Sequence, residues 1–360
     1  MFGDRKDIGW TKEDYLRQRN RSKKAIIIMA VLTLVLSLYS LSLTQYPISF
    51  TRMIEILVGA LQGYQPTDYY EQIEYKVILE NYVPRITAGL AVGAILGISG
   101  AVMQSVIHNP LADPYTTGIS SGAAFGVAIF TVFGLTLIPG VPGWERIINA
   151  FIFAMIPCAL IILFASMGKG TSTTMILVGI AVMMIFSSAT QLVMFAAEPS
   201  SYGAIYEWNI GSLRIVENQD VPFILASLII LCVSMVPLSK YVTVMTAGDR
   251  MATCIGVNAK LIRVICFTLV SGCTAIAVSF TGSIGFIGLV IPHICRLIVG
   301  SSKGIIALSG IIGALMLMCC DAVARLIVLG GLPVGVITAA VGSPVFIYFL
   351  IRSRKNSYYG

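Results

Sequence analysis

Apolar residues run along this chain in long stretches that short polar segments interrupt. Stretches such as 25–44, 147–166 and 333–351 are close to the ~20 residues that a helix needs to cross a bilayer. A membrane β-barrel would instead need alternating segments of about ten residues, which are absent from the chain. The pattern predicts about ten transmembrane helices, at 25–44, 84–106, 115–138, 147–166, 174–197, 221–238, 260–281, 284–300, 305–327 and 333–351.

Composition supports the same class. Only 11% of the 360 residues are charged and 57% are hydrophobic, whereas soluble domains carry about a quarter charged residues. The first apolar run follows 24 polar residues and lacks a clear small-residue cleavage site, so we expect a retained helix rather than a signal peptide. The sequence predicts an all-α polytopic membrane protein.

The basic residues predict the orientation. An even number of spans puts both termini on one side, and 18 of the 24 Lys and Arg residues fall on that side. Because cytoplasmic segments are enriched in Lys and Arg, we expect both termini in the cytoplasm of a prokaryote, with the chain in its cytoplasmic membrane. The predicted parts are a basic tail (1–24), one transmembrane domain (25–351) and a C-terminal tail (352–360). This distribution argues against nucleic-acid binding, despite the net charge of +7.

Glycines repeat every four residues inside two predicted spans. They form the rows Gly89, Gly93, Gly97 and Gly118, Gly122, Gly126. Such rows let helix backbones approach closely in membranes, so we expect tight packing within the chain, with a direct role in a transport pathway as the alternative. The segment 45–83 between the first two spans is acidic and aromatic, and it predicts short surface helices around 50–62 and 70–81.

The sequence contains no pattern typical of a metal site or of a nucleotide-binding loop. The eight cysteines form no CxxC pair, and two isolated histidines do not make a metal site, so we expect no metal and no cofactor. The closest approach to a phosphate-binding loop, at 168–173, lacks its upstream glycine and the Ser or Thr after the lysine. We therefore expect no ATP hydrolysis by this chain.

Several blocks of sequence resemble one family, the FecCD-type permeases of iron-siderophore, haem and cobalamin ABC importers. The blocks are PRITAGLAVGAILGISGAVMQSVIHNPLADPYTTGISSGAA (84–124), WNIGSL (208–213), GDRMATCIGVN (248–258), GSIGFIGLVIPHICRLIVG (282–300), DAVARL (321–326) and LPVGVITAAVGSPVFIYFL (332–350). They follow the family's order and spacing over residues 25–355. The resemblance implies the fold of cobalamin importers, the type II ABC importers.

In that family, a cytoplasmic loop that here corresponds to 245–260 holds a coupling helix that docks on the ATPase. The glycines at 248 and 256 predict the start and the left-handed end of a short helix. The residues implied in coupling are Gly248, Asp249, Arg250, Ile255, Gly256 and Val257.

The resemblance also implies a docking site and a gate. Arg85 and Arg325 match outward arginines that meet the extracellular binding protein, and both are predicted near outer helix ends, where a charge reaches water. Interfacial anchoring of Arg85, or an i,i+4 contact of Arg325 with Asp321, would explain them as well. Tyr82 stands where the cobalamin permease has a further arginine. The gate hydroxyls match Ser172 and Thr173.

One motif is interpreted as structural. Asn109-Pro110 and Asp113-Pro114 lie at a predicted inner turn, where proline ends one helix and begins the next. The Asn and Asp side chains can cap free amides there. His108 beside the turn is interpreted in the same way, as are Pro292 and His293 near another inner helix end.

The resemblance implies partners that the chain lacks. We expect two permease copies, identical or homologous, two ATP-binding subunits that use ATP and Mg²⁺, an extracytoplasmic binding protein and the lipid bilayer. Ferric siderophore is the first choice of ligand, with cobalamin or haem as alternatives. An ion-coupled secondary transporter is the alternative class, but the spans place no acidic residue near the middle of the membrane. An intramembrane enzyme, such as a serine protease, is a further class, but no serine has a nucleophile's setting.

Overall fold

The computed structural model describes residues 12–164, 167, 172–300, 304–328 and 331–357. Within these ranges the chain is helical and has no β-strand, which confirms the all-α prediction. The α-helices are α1 (Lys12–Ser42), α2 (Phe50–Leu61), α3 (Tyr69–Lys76), α4 (Val83–Ile107), α5 (Ile119–Phe133), α6 (Glu145–Phe164), α7 (Ser172–Phe195), α8 (Pro199–Ile210), α9 (Val221–Met245), α10 (Asp249–Cys254), α11 (Ala259–Thr281), α12 (Ile287–Val299), α13 (Ile305–Ile327) and α14 (Val334–Ser357).

The apolar helices coincide in place with the predicted spans. In the described ranges, seven helical stretches are long and apolar enough to cross a membrane, and three shorter apolar helices lie in α5, α12 and α14. The ends differ from the prediction: α9 and α14 are longer, and α5 is shorter. Helix α5 begins only at Ile119 because Pro114–Thr117 forms a 3₁₀ turn and Gly118 has a φ of +89°.

Two of these helices are too short to cross a bilayer alone. Helix α5 has 15 residues and α12 has 13, which gives lengths of about 22 and 20 Å against a hydrocarbon core of about 30 Å. Non-helical segments therefore lie next to these two helices, and their backbone N–H and C=O groups need hydrogen-bond partners. In the segment 282–286, the Ile284 amide donates to the Tyr115 hydroxyl at 2.8 Å. The Ser212 amide donates to the Thr281 carbonyl, also at 2.8 Å.

Helix α4 is the centre of the bundle, and it packs against α9, α11, α12 and α13. A Cβ atom on Gly93 would lie 2.5 Å from the Gly313 carbonyl oxygen of α13, and one on Gly97 would overlap the Ser309 carbonyl oxygen. A Cβ atom on Gly100 would overlap the Gly288 carbonyl oxygen of α12. These contacts confirm the prediction of close packing.

The second glycine row joins α5 to α6. A Cβ atom on Gly126 would lie 2.5 Å from the Asn149 carbonyl oxygen, and one on Gly122 would overlap the Phe153 carbonyl oxygen. The buried Asn149 side chain donates to the Leu135 carbonyl at 2.7 Å and accepts from the Leu137 amide at 3.0 Å. These bonds hold the chain leaving α5 against α6.

A small cap formed by α2 and α3 lies at one end of the bundle, where α4 begins. Arg52 on α2 contacts Glu55 at 3.1 Å and, on α3, Glu71 at 2.9 Å and Glu74 at 2.7 Å. Helix α2 confirms the predicted 50–62 helix. Helix α3 ends at Lys76, earlier than predicted, because a π-helical turn at Val77–Tyr82 joins it to α4. We call this the α3 end, and the opposite end, where α4 stops, the α10 end.

Two further features differ from the prediction. Helix α8 lies in a segment for which the pattern predicted no helix, and α1 begins at Lys12, inside the predicted basic tail.

Replacing Gly97 by alanine tests the packing of α4 on α13. We expect a loss of about 1–3 kcal/mol of stability, because the new methyl group overlaps the Ser309 carbonyl and forces the helices apart. Gly272→Ala on α11 is the matched control: it meets no atom within 4 Å and should stabilise the helix by up to about 1 kcal/mol. Thermal unfolding in detergent measures both variants. Equal unfolding temperatures would contradict the packing.

Candidate functional site

The α10 end carries a short helix between two glycines with positive φ angles. Gly248 has a φ of +102° before α10, and Gly256 has a φ of +85° after it. A Cβ atom at either position would meet nothing within 4 Å, so backbone conformation rather than space favours glycine. The predicted short helix and its left-handed end at Gly256 are confirmed.

Helix α10 presents apolar side chains to the outside. Met251 is 54% exposed and Ile255 is 65% exposed, and their i,i+4 spacing puts them on one face. Arg250 is exposed beside them, whereas Val257 is half-buried and packs against the chain's own core. Met251 was missed in the sequence, although its spacing from Ile255 was the signal.

Polar contacts tie the start of α10 to the bundle. Asp249 Oδ1 accepts a hydrogen bond from Arg263 Nη2 of α11 at 2.5 Å. Arg263 Nε also donates to the Val106 carbonyl of α4 at 2.8 Å. The His108 ring has Nδ1 3.8 Å from Asp249 Oδ1, and its Nε2 is hydrogen-bonded to the Met245 carbonyl. Arg263 was not predicted from the sequence, because no motif marks it.

The predicted proline turn forms beside this cluster. The Asn109 side chain accepts from the Leu111 amide at 2.8 Å, as expected of a cap. Pro110 lies in the turn, and Pro114 begins the 3₁₀ turn, where the Asp113 amide donates to the Thr116 hydroxyl at 3.3 Å.

Asp113 lies beside α12 and α4. Its side chain is buried and packs on Gly288, and its Oδ1 has no hydrogen-bond partner. A Cβ atom on Gly288 would also lie 3.1 Å from the carbonyl oxygen of Leu96, near the middle of α4. The buried carboxyl group of Asp113 is therefore close to the middle of α4, because the chain after α4 turns back along the bundle.

Pro292 and His293 lie inside α12 rather than near a helix end. The prediction of their position is wrong, since both residues are more than one turn away from either end of this 13-residue helix. The His293 ring stacks at 6.1 Å from the Phe349 ring of α14. This contact joins α12 to α14.

The α3 end holds two arginines on one buried carboxylate. Asp321 Oδ1 lies 2.9 Å from Nε and 2.8 Å from Nη2 of Arg85. Asp321 Oδ2 lies 3.0 Å from Arg325 Nε, without the alignment of a hydrogen bond. Arg325 Nη1 also donates to the Ser40 and Leu43 carbonyls of the α1 region, at 3.0 and 3.2 Å. The cluster joins α1, α4 and α13.

The expectation that these arginines reach bulk water is wrong. Arg85 is 8% exposed and Arg325 is 2% exposed, and the single buried carboxylate of Asp321 contacts both of them. The i,i+4 contact between Asp321 and Arg325 is present. Both arginines line a cavity of about 310 Å³ together with Tyr82, whose ring centre lies 5.2 Å from Arg325 Cζ, and Arg214. Their role in docking stays a prediction.

A polar cavity of about 360 Å³ lies between α5, α7, α8 and the segment 282–286. Its polar lining is uncharged: Tyr115, Ser120, Ser121, Ser187, Thr190, Gln191, Asn209 and Ser283. Ser120 and Ser283 are hydrogen-bonded to each other across it. Elsewhere α7 exposes apolar side chains such as Leu192 and Phe195. Polar side chains within transmembrane segments usually face the protein interior or a cavity rather than lipid, as these do.

The predicted gate residues lie at the start of α7. Thr173 is exposed there. Helix α7 begins at Ser172, but the Ser172 side chain and residues 168–171 lie outside the described residues. The gate assignment stays a prediction.

Metal binding has no candidate site in the described part of the chain. There, no three His, Cys, Asp or Glu side chains come together as a group that could hold an ion.

Comparison with known proteins places these features in context. The family described as the FecCD transport family matches residues 32–352. An iron chelatin transport system permease protein of Helicobacter pylori is 31% identical, over 92% of this chain and 97% of its own. A cobalamin import system permease protein, BtuC, of Halobacterium salinarum is 35% identical, over 76% of this chain and 72% of its own. A solved inward-facing conformation of a metal-chelate type ABC transporter superposes with a TM-score of 0.78 at 25% identity, covering 92% of this chain and 99% of that one.

Asp321→Asn tests the buried arginine cluster. We expect a loss of about 3–5 kcal/mol of stability, because two buried guanidinium groups lose their carboxylate. Thermal unfolding of the purified protein measures it. Glu80→Gln is the control, since Glu80 and Lys76 form a solvent-exposed pair at 3.9 Å and should change the unfolding temperature little. If Asp321→Asn unfolds at the wild-type temperature, the cluster does not stabilise the α3 end.

Proposed function

This chain belongs to the FecCD transport family, and on that premise we propose that it is the membrane-spanning permease subunit of an ABC importer for a ferric siderophore. The family comprises membrane-embedded permeases of importers for iron chelates, haem and cobalamin. The proposal adds the ligand, the partners and the orientation of the chain.

The observation that supports energy coupling most directly is α10. A short helix with an exposed apolar pair, Met251 and Ile255, is suited to a groove on another protein. We propose that a separate ATP-binding subunit provides that groove and uses ATP and Mg²⁺. This chain would bind neither of them.

The proposed orientation follows from α10. The α10 end and both termini face the cytoplasm of a prokaryotic cell, and the α3 end faces outward. There, the cavity lined by Arg85 and Arg325 would receive acidic side chains of an extracytoplasmic binding protein. The buried arginines have one carboxylate between them, which leaves positive charge for an incoming acid.

The proposed path runs along the polar cavity. A second permease copy, identical or homologous, would close the open side of α7, with Ser172 and Thr173 at the cytoplasmic gate. The uncharged lining offers hydrogen bonds without strong electrostatic sites that would trap a ligand. Such a lining suits a bulky chelate whose metal is already coordinated.

Ferric siderophore is favoured by the likeness to the iron chelatin permease and to the metal-chelate transporter. Cobalamin is the alternative that the likeness to a cobalamin permease supports. Haem is a further alternative within the family.

Uptake into cells with the gene intact and deleted tests the ligand. We expect deletion to abolish accumulation of labelled ferric siderophore, while uptake of haem and cobalamin stays at the wild-type level. Loss of cobalamin or haem uptake alone would replace the proposed ligand. Uptake that persists without ATP and follows the proton gradient would favour an ion-coupled transporter instead, with the buried carboxyl of Asp113 as the candidate proton site.

Ile255→Asp and Met251→Asp test the docking of α10. Each places a charge in the proposed apolar contact, so we expect at least a tenfold loss of ATPase subunit co-purified with the permease, equivalent to about 1.4 kcal/mol or more. Leu61→Asp is the matched control, because Leu61 is 89% exposed at the opposite end of the bundle. Normal co-purification of both α10 variants would exclude this face as the contact.

A further inference from the structure

We propose that Asp249, Arg263 and His108 are positioning residues that link the coupling loop mechanically to helices α4, α9 and α11. We call this cluster the inner latch. It transmits a displacement of α10 to the transmembrane helices. The inference rests on the proposed function, since an ATPase subunit must move α10.

Arg263 is the centre of the inner latch. Its side chain is 6% exposed, and it binds in two directions, to Asp249 through Nη2 and to the Val106 carbonyl through Nε. Val106 lies in the last turn of α4, where carbonyl groups lack donors within the helix and where the helix dipole favours a cation. The arginine therefore joins the end of α4 to the start of α10.

His108 adds the end of α9. It follows α4 directly in a left-handed conformation, with a φ of +54°, which is uncommon for a residue other than glycine. This conformation turns the ring towards Met245, the last residue of α9, and towards Asp249. Four helices thus meet around one carboxylate.

The flanking glycines make this attachment important. Gly248 and Gly256 bracket α10, and a Cβ atom on either of them would meet nothing within 4 Å. Ala252 is buried and keeps one side of α10 on the bundle, but an apolar contact resists sliding weakly because it has no direction. The ion pair from Asp249 to Arg263 is directional and fixes the start of α10 to α4.

The two members of the Asp249–Arg263 ion pair differ in burial. The Arg263 side chain is almost fully buried, whereas the Asp249 side chain is 50% exposed. Pulling Asp249 away would leave a buried arginine without its carboxylate, which costs far more than separating an exposed pair. Movement of α10 is therefore expected to carry Arg263 and the end of α4 with it.

Helix α4 can carry this movement along the bundle. It has 25 residues, a length of about 37 Å, and contacts α12 and α13 through backbone at Gly93, Gly97 and Gly100. Arg85 lies near its opposite end. A displacement of α4 at the inner latch is thus carried by this one helix along the bundle, to α12 and α13 and to the α3 end.

The test is the number of ATP molecules hydrolysed per ligand imported. The complete transporter, with its ATPase subunits and binding protein, is reconstituted in vesicles and supplied with a radioiron-labelled ferric hydroxamate siderophore. We expect Asp249→Asn and Arg263→Gln each to raise the ratio at least fivefold, in the range of typical coupling effects. ATPase subunits should still co-purify in wild-type amounts. The double variant should be no worse than either single variant, because both changes break the same link.

Three further variants separate positioning from general damage. Asp249→Glu keeps the charge and should restore the ratio to within about twofold of wild type. His108→Asn tolerates the left-handed backbone but removes the ring, and should give an intermediate ratio. Lys240→Gln removes an exposed cation at the end of α9, outside the inner latch, and should leave the ratio unchanged. If Arg263→Gln does not fold, the exposed Asp249 and His108 positions still decide the question.

Two results would overturn the inner latch. One is a wild-type ratio in both Asp249→Asn and Arg263→Gln. The other is loss of the ATPase subunit from these variants, which would make them docking residues instead. A wild-type transporter that imports no ferric hydroxamate and binds no ATPase subunit would overturn the proposed function itself, which distinguishes the two failures.

Discussion

Backbone contact between α4 and its neighbours is the constraint on which this structure depends. Lipid tails are as apolar as leucine, so helices in a membrane gain little by hiding hydrocarbon and associate by close packing instead. Gly93, Gly97 and Gly100 bring α4 against the carbonyl groups of α12 and α13 with no side chain between them. Because such contacts leave no side chain to adjust, even a methyl group added at one of these glycines would have to displace a helix.

Helix α4 also connects two charged clusters of different character. At one end, Arg85 and Arg325 share Asp321, and all three side chains are buried. At the other, Arg263 is buried but its partner Asp249 lies at the surface. The first arrangement joins helices through side chains that are all buried, whereas the second has one buried member and one member at the surface.

Much of the fold could be predicted from the sequence, and the exceptions share a cause. Apolar runs predict helices because backbone groups without hydrogen bonds are too costly in lipid. A glycine after a short helix, as at Gly256, predicts a left-handed backbone conformation. The burial of Arg85 was not predictable, since its partner Asp321 is 236 residues away along the chain. The same holds for Arg263 and Val106, 157 residues apart. Helix α8 was missed because its mixed composition shows no apolar run.

The short helix α12 has a consequence for how the protein is made. At about 20 Å it cannot anchor itself in a bilayer, and its first residues need the α4 surface around Gly100 to pack upon. Helix α4 leaves the ribosome long before α12 does. The surface of α4 on which α12 packs is therefore synthesised before α12 itself.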